Sequence, residues 1–264
     1  MPRIRRPRSS TPAAPGDAAG RLLRDPEAAR PWPSLVFLSP LLAFYAVGVF
    51  WVRPDLAARA DLLVRQMISP LGVTGVLVPT WLVVGILMLW HLVRGDTFRV
   101  RGRLLRLMAL ETVLLALPLL GLHEAFRVIL RAVAAAALAM PAASAAQAAA
   151  HPGWIEVLMT SIGAGIYEEL LFRLLLIGVP LALVARLMKR KSAGVTAAVV
   201  LIAAAVFAGA HTMDHPATFT WGSFLFRTAA GTYLGYIFAR RGFGVVAGVH
   251  IAYDWVVTQA MLAR

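Results

Sequence analysis

The chain contains no cysteine. Disulfides, thiolate nucleophiles and cysteine metal ligands are therefore excluded. Charge is scarce as well. Asp, Glu, Lys and Arg make up 15% of the 264 residues, against about a quarter in ordinary soluble domains. Acids are the scarcest: 13 Asp and Glu stand against 26 Lys and Arg, a formal net charge of +13 carried almost wholly by arginine. No solenoid-type repeat occurs, which excludes array architectures. Apolar residues take the place of charge. They form 59% of the chain, and the mean hydropathy is +0.74. Several apolar runs reach the roughly 20 residues that cross a bilayer as a helix. The chain therefore reads as an all-α, polytopic transmembrane helical bundle with the lipid bilayer as its solvent. In a soluble protein this basic balance would suggest nucleic acid. Here the arginines fall between apolar runs, where they act as orientation signals, and no nucleic-acid partner is expected.

Residues 1–33 are basic and Pro-rich, with Arg3, Arg5, Arg6, Arg8, Arg21, Arg24 and Arg30. They read as a disordered cytoplasmic arm. Seven spans are expected, over about 34–52, 71–93, 104–122, 154–187, 193–211, 219–239 and 243–262. Gly178 and Pro180 should kink the fourth. Residues 124–150 open with Arg127 and Arg131, then become almost pure alanine broken by Pro141. Alanine is a strong helix former but weakly hydrophobic, so this connector reads as a surface-lying or hairpin-like helix. An eighth span there is the alternative, and it would reverse the orientation of everything after it. Residues 34–153 thus hold three spans and the Ala-rich connector, and 154–264 the remaining four. Seven spans with a cytoplasmic N-terminus put each large basic cluster on one side of the membrane. The composition and charge pattern point to a bacterial inner (cytoplasmic) membrane.

Ionisable residues inside spans are few, and a charge at the bilayer centre costs roughly 2.5–3.5 kcal/mol. Glu111 stands alone in the third span and is expected to pair with a basic group such as Arg227. The fourth span contains Glu168, Glu169 and Arg173. Glu169 and Arg173 are i and i+4, acid before base, and can pair on one helix face. Glu168 points about 100° away and is left over. His211 ends the fifth span. His250 and Asp254, again i and i+4, lie in the seventh.

Two histidines and two acids on three neighbouring apolar helices favour one shared site. A carboxylate beside a histidine can activate water as a general base. A second histidine can stabilise an oxyanion. Glu168, His211 and His250 are also a possible zinc set, although the short-spaced H-E-x-x-H signature is absent. Buried Glu, His and Arg would equally serve a proton-coupled transporter or a scaffold that keeps a polar cavity.

Three motifs stand in order: Glu168-Glu169-Leu-Leu-Phe-Arg173, Phe207-Ala-Gly-Ala-His211 and His250-Ile-Ala-Tyr-Asp254. Together they resemble the CPBP family, the CAAX protease and bacteriocin-processing (Abi) intramembrane proteases. The resemblance covers roughly residues 154–262, and it makes 154–264 the catalytic core. It implies an intramembrane endopeptidase acting on peptide or membrane-protein substrates. It implies Glu168 as the water-activating base and His211 as its partner. His250 and Asp254 would support the oxyanion, and Glu169 and Arg173 would hold the site together. The family has been described both as metalloproteases and as glutamic-type proteases. No cofactor is the expectation taken here, with zinc on Glu168, His211 and His250 as the alternative.

Two departures stand out. Asp254 occupies a position often held by Asn, and an ionised Asp cannot donate to an oxyanion. It would instead orient His250, or carry a proton in the low-dielectric cavity. Leu174 follows Arg173 where the family often has Gly. In the seven-span arrangement His211 approaches the non-cytoplasmic end of its helix. A cavity opening there disfavours a prenylated cytosolic substrate.

Overall fold

Long apolar runs without strand-like alternation fold as helices, and no strand occurs among the described residues. The structure is a computed structural model. It describes residues 26–52, 56–137, 152–188, 192–213 and 219–263. Helix α1 (Pro31–Val47) opens on two prolines, whose missing N–H groups are not needed in a first turn. It runs on as a π-helical turn, Gly48–Val52. The short helices α2 (Arg59–Ile68) and α3 (Val78–Arg94) follow. Then come α4 (Gly102–Ala137) and α5 (Trp154–Glu168). Beyond a π-helical stretch, Glu169–Gly178, lie α6 (Val179–Met188), α7 (Ala193–Met213) and α8 (Trp221–Leu262).

Among the described residues, five stretches are long and apolar enough to cross a membrane: Pro31–Trp51, Gly102–Val133, Trp154–Leu187, Ala193–His211 and Trp221–Leu262. The protein is an all-α membrane bundle. Helix α8 is its axis and packs against α4, α5, α7 and α1. Every residue from Gly242 to Ile251 is buried. Apart from His250 this buried stretch is apolar on every side, as suits a central position, and its small residues let the neighbours close in. A Cβ on Gly165 of α5 would stand 2.9 Å from the backbone nitrogen of Ile251, so only glycine permits this crossing.

Several expectations change in detail. Residues 26–33 belong to the fold and not to a disordered arm. Pro26–Ala29 form a 3₁₀ turn with Ala28 fully buried, and a Cβ on Gly242 would come within 2.7 Å of Ala29 Cα. Residues 1–25 of the arm lie outside the described residues. The second span, expected from residue 71, begins as a helix only at Val78, after Gly72 and Gly75 with φ of 75° and 139°. The third does not end near Leu122. Helix α4 passes Pro118 and continues to Ala137, because alanine prolongs a helix that hydrophobicity alone would have ended. The surface or hairpin reading is therefore corrected for residues 124–137. Residues 138–150 lie outside the described residues, as do Lys189, Arg190 and Lys191 of the basic cluster. The irregularity expected at Gly178 and Pro180 starts earlier, at Glu169.

The last two expected spans form one element broken at Gly242, whose φ of 78° only glycine adopts readily. The break exposes backbone donors, and the hydroxyl of Ser34 on α1 accepts the Gly244 N–H at 3.0 Å. Just before it, Arg241 donates to Glu111 Oε2 at 2.6 Å. The pairing of Glu111 with Arg227 is thus corrected. Arg227 lies 14 positions earlier on α8, which is about 21 Å along the helix axis and out of reach.

Candidate active site

The site is built where α5 passes into its π-helical continuation, facing α7 and the lower half of α8. Glu169 is fully buried. Its Oε1 accepts a hydrogen bond from His250 Nδ1 at 2.7 Å. The same oxygen lies 3.1 Å from Arg173 Nη1, an ion-pair contact without hydrogen-bond alignment. The Arg173 guanidinium sits 4.5 Å over the Phe207 ring, a desolvated cation–π contact. One buried acid and one buried base therefore tie three helices together. Glu169 is more than Arg173's partner, because it also sets the His250 ring.

Above this layer lies Glu168. Its Oε1 is 3.6 Å from His211 Nε2, and its Oε2 is 3.8 Å from His250 Nε2. The His211 Nδ1 is 3.0 Å from the Phe207 carbonyl oxygen one turn earlier, which aims Nε2 at Glu168. His250 Nε2 also lies 3.5 Å from Asp254 Oδ2. These three spacings are at or beyond the limit of a direct hydrogen bond.

The four residues Glu168, His211, His250 and Asp254 line one cavity of about 550 Å³. Glu169 and Arg173 sit beneath it, 0% and 2% exposed. The far wall comes from α4, through Leu119, His123 and Phe126, and from the upper half of α8, through Phe226 and Arg227. Arg227 bonds Ser223 on its own helix. Tyr253 lines the cavity too, and its hydroxyl is 2.9 Å from His123 Nδ1. Sequence reasoning passed over Tyr253, His123 and Arg227 as site residues. Tyr253 carried a signal, since at i+3 from His250 it shares that residue's face. His123 carried none, because it meets the site only through the packing of α4 on α8.

Glu168, His211 and His250 would be the ligands of a zinc ion. Tetrahedral zinc needs donors about 2.0–2.2 Å from one point. Glu168 instead turns one oxygen to each ring, and no set of three His, Asp or Glu among the described residues is arranged to hold a metal ion. As they stand, these side chains are not gathered around one metal position.

A family model described as "Type II CAAX prenyl endopeptidase Rce1-like" matches residues 149–256. The matched segment is CAAX-protease-like. It contains all three motifs and leaves out α1 to α4. No curated protein and no solved structure matches the chain. The CAAX-protease-like segment supplies the acids and both histidines, and α4, outside it, closes the cavity.

Proposed function

We propose that the chain is an intramembrane endopeptidase in which Glu168 activates water. One observation carries this reading: the Nε2 atoms of His211 and His250 face the two oxygens of Glu168 inside a cavity. In the proposed reaction a water bridges this cluster. Glu168 takes one of its protons as the water oxygen bonds to the peptide carbonyl carbon. The carbonyl π pair moves onto oxygen. His250 carries a proton on each ring nitrogen at this stage. Its Nδ1–H donates to Glu169, and its Nε2–H faces the oxyanion. Asp254 steadies the same ring. His211 holds the Glu168 carboxylate in place. Collapse restores the C=O bond, the C–N bond breaks, and the proton held by Glu168 passes to the departing nitrogen.

The substrate is a peptide segment of a membrane-associated protein, threaded into an apolar cavity with a polar floor. The arginine clusters support a cytoplasmic N-terminus in a bacterial inner membrane. The test is Glu168→Gln in proteoliposomes with quenched fluorescent peptides. Gln keeps the volume but cannot take the proton, so a loss of about 10²–10⁴-fold is expected with an unchanged melting temperature. Wild-type cleavage should survive complete chelation with metal content verified. Cleavage by Glu168→Gln at the wild-type rate refutes the general base, and activity lost on chelation and restored by zinc refutes the metal-free form.

A further inference from the structure

An acyl-transfer oxyanion is usually met by more than one donor, and the floor of this cavity is short of them. Glu168 and Asp254 present carboxylates, which accept when ionised. His211 Nε2 is turned to Glu168. His250 Nδ1 is committed to Glu169, which leaves one ring nitrogen to face a substrate. Tyr253, at i+3 from His250, shares that residue's side of α8, and it lines the same cavity as His250 and Asp254. Its hydroxyl is not left to swing. The His123 Nδ1 holds it at 2.9 Å from α4, and Phe226 packs against both rings.

Resting on the endopeptidase reading, we propose that Tyr253 is a catalytic residue, the second oxyanion donor, and that His123 is its positioning residue. His123 Nδ1–H donates to the Tyr253 oxygen. The phenolic O–H is thereby turned toward the cavity. When water oxygen bonds to the carbonyl carbon and the π pair moves onto the carbonyl oxygen, that oxygen accepts from Tyr253 Oη–H and from His250 Nε2–H. No proton leaves Tyr253. The donor is retained through collapse, when the C–N bond breaks and the pair returns to the C=O bond. The reaction surface is thus completed by a helix outside the CAAX-protease-like segment.

The experiment measures kcat and KM in proteoliposomes for Tyr253→Phe, His123→Leu, His123→Gln and Arg227→Gln. The probe is one quenched peptide chosen from a library because the wild type cleaves it. Loss of one oxyanion donor should lower kcat about 10²-fold or more. Tyr253→Phe should show this loss with KM and melting temperature unchanged. His123→Leu should lose part of kcat, and His123→Gln, which keeps an N–H donor, should recover it. A purely structural role would move KM and melting temperature together and would not be rescued by Gln. Wild-type kcat in Tyr253→Phe overturns the proposal, as does loss confined to Arg227→Gln. Should Tyr253→Phe fail to fold, equal kcat in His123→Leu and wild type overturns it. Failure of the Glu168 general-base reading is a distinct result: Glu168→Gln cleaving as fast as wild type. A wild type that cleaves no peptide refutes both.

Discussion

Replacing Arg173 by alanine removes the permanently charged partner of Glu169. His250 still bonds Glu169 Oε1, so the carboxylate does not become wholly unpartnered. It does lose the permanent positive charge beside it while remaining fully buried. Breaking a buried pair by removing one partner typically costs about 3–5 kcal/mol. The lost cation–π contact with Phe207 is worth up to about 2 kcal/mol when desolvated. The two share one guanidinium and do not add in full, so about 4 kcal/mol is expected. Whole domains are stable by only about 5–15 kcal/mol. Arg173→Ala should therefore give much less folded protein and a clearly lower melting temperature in detergent, along with reduced cleavage. The double variant Glu169→Leu/Arg173→Leu separates fold from chemistry. Exchanging both partners of a buried pair for apolar groups is often neutral or stabilising, so the melting temperature should largely return. Cleavage should not, because His250 Nδ1 has then lost its acceptor. Arg173→Ala melting at the wild-type temperature would refute this account, and a double variant that folds and cleaves normally would refute the positioning of His250 by Glu169.

Two further outcomes follow from the packing. Arg241→Ala strands the nearly buried Glu111 and should destabilise by about 3–5 kcal/mol, whereas Arg227→Ala should leave the melting temperature close to wild type; denaturant titration distinguishes them, and the reverse order would contradict the Glu111–Arg241 pair. Gly165→Val places a side chain into Ile251 and its backbone and should cost about 1–3 kcal/mol or more through forced helix separation, read as a lower melting temperature; a neutral substitution would mean that α5 and α8 are not in close contact.

Much of this arrangement was legible in residue order. Apolar run length gives the helices, and the i, i+4 spacing puts Glu169 with Arg173 and His250 with Asp254 without any tertiary knowledge. What sequence reasoning could not reach is contact between residues far apart in the chain. The choice of Arg241 over Arg227 for Glu111 depends on the axial offset of α4 against α8. The bond from Glu169 to His250 joins helices 81 residues apart, so an acid read as a simple ion-pair partner turned out to have two partners. The end of α4 was misjudged for a different reason. Hydrophobicity falls off after Leu122 while helix propensity does not, and the two properties mark different boundaries.

The break at Gly242 has a bearing on how the molecule can be cut. Two turns beyond it, about 12 Å along the axis, the same helix carries His250. That helix starts afresh at the break, with Ser34 acting as its lid through the Gly244 N–H and Ala29 pressed against the glycine itself. The segment that resembles a protease is therefore not a detachable module. An excised fragment covering 149–264 would present a raw helix start to lipid at the point from which His250 is aimed, and it would also lack the α4 wall. Residues near the beginning of the chain serve as a clasp on the helix that carries His250 near its end.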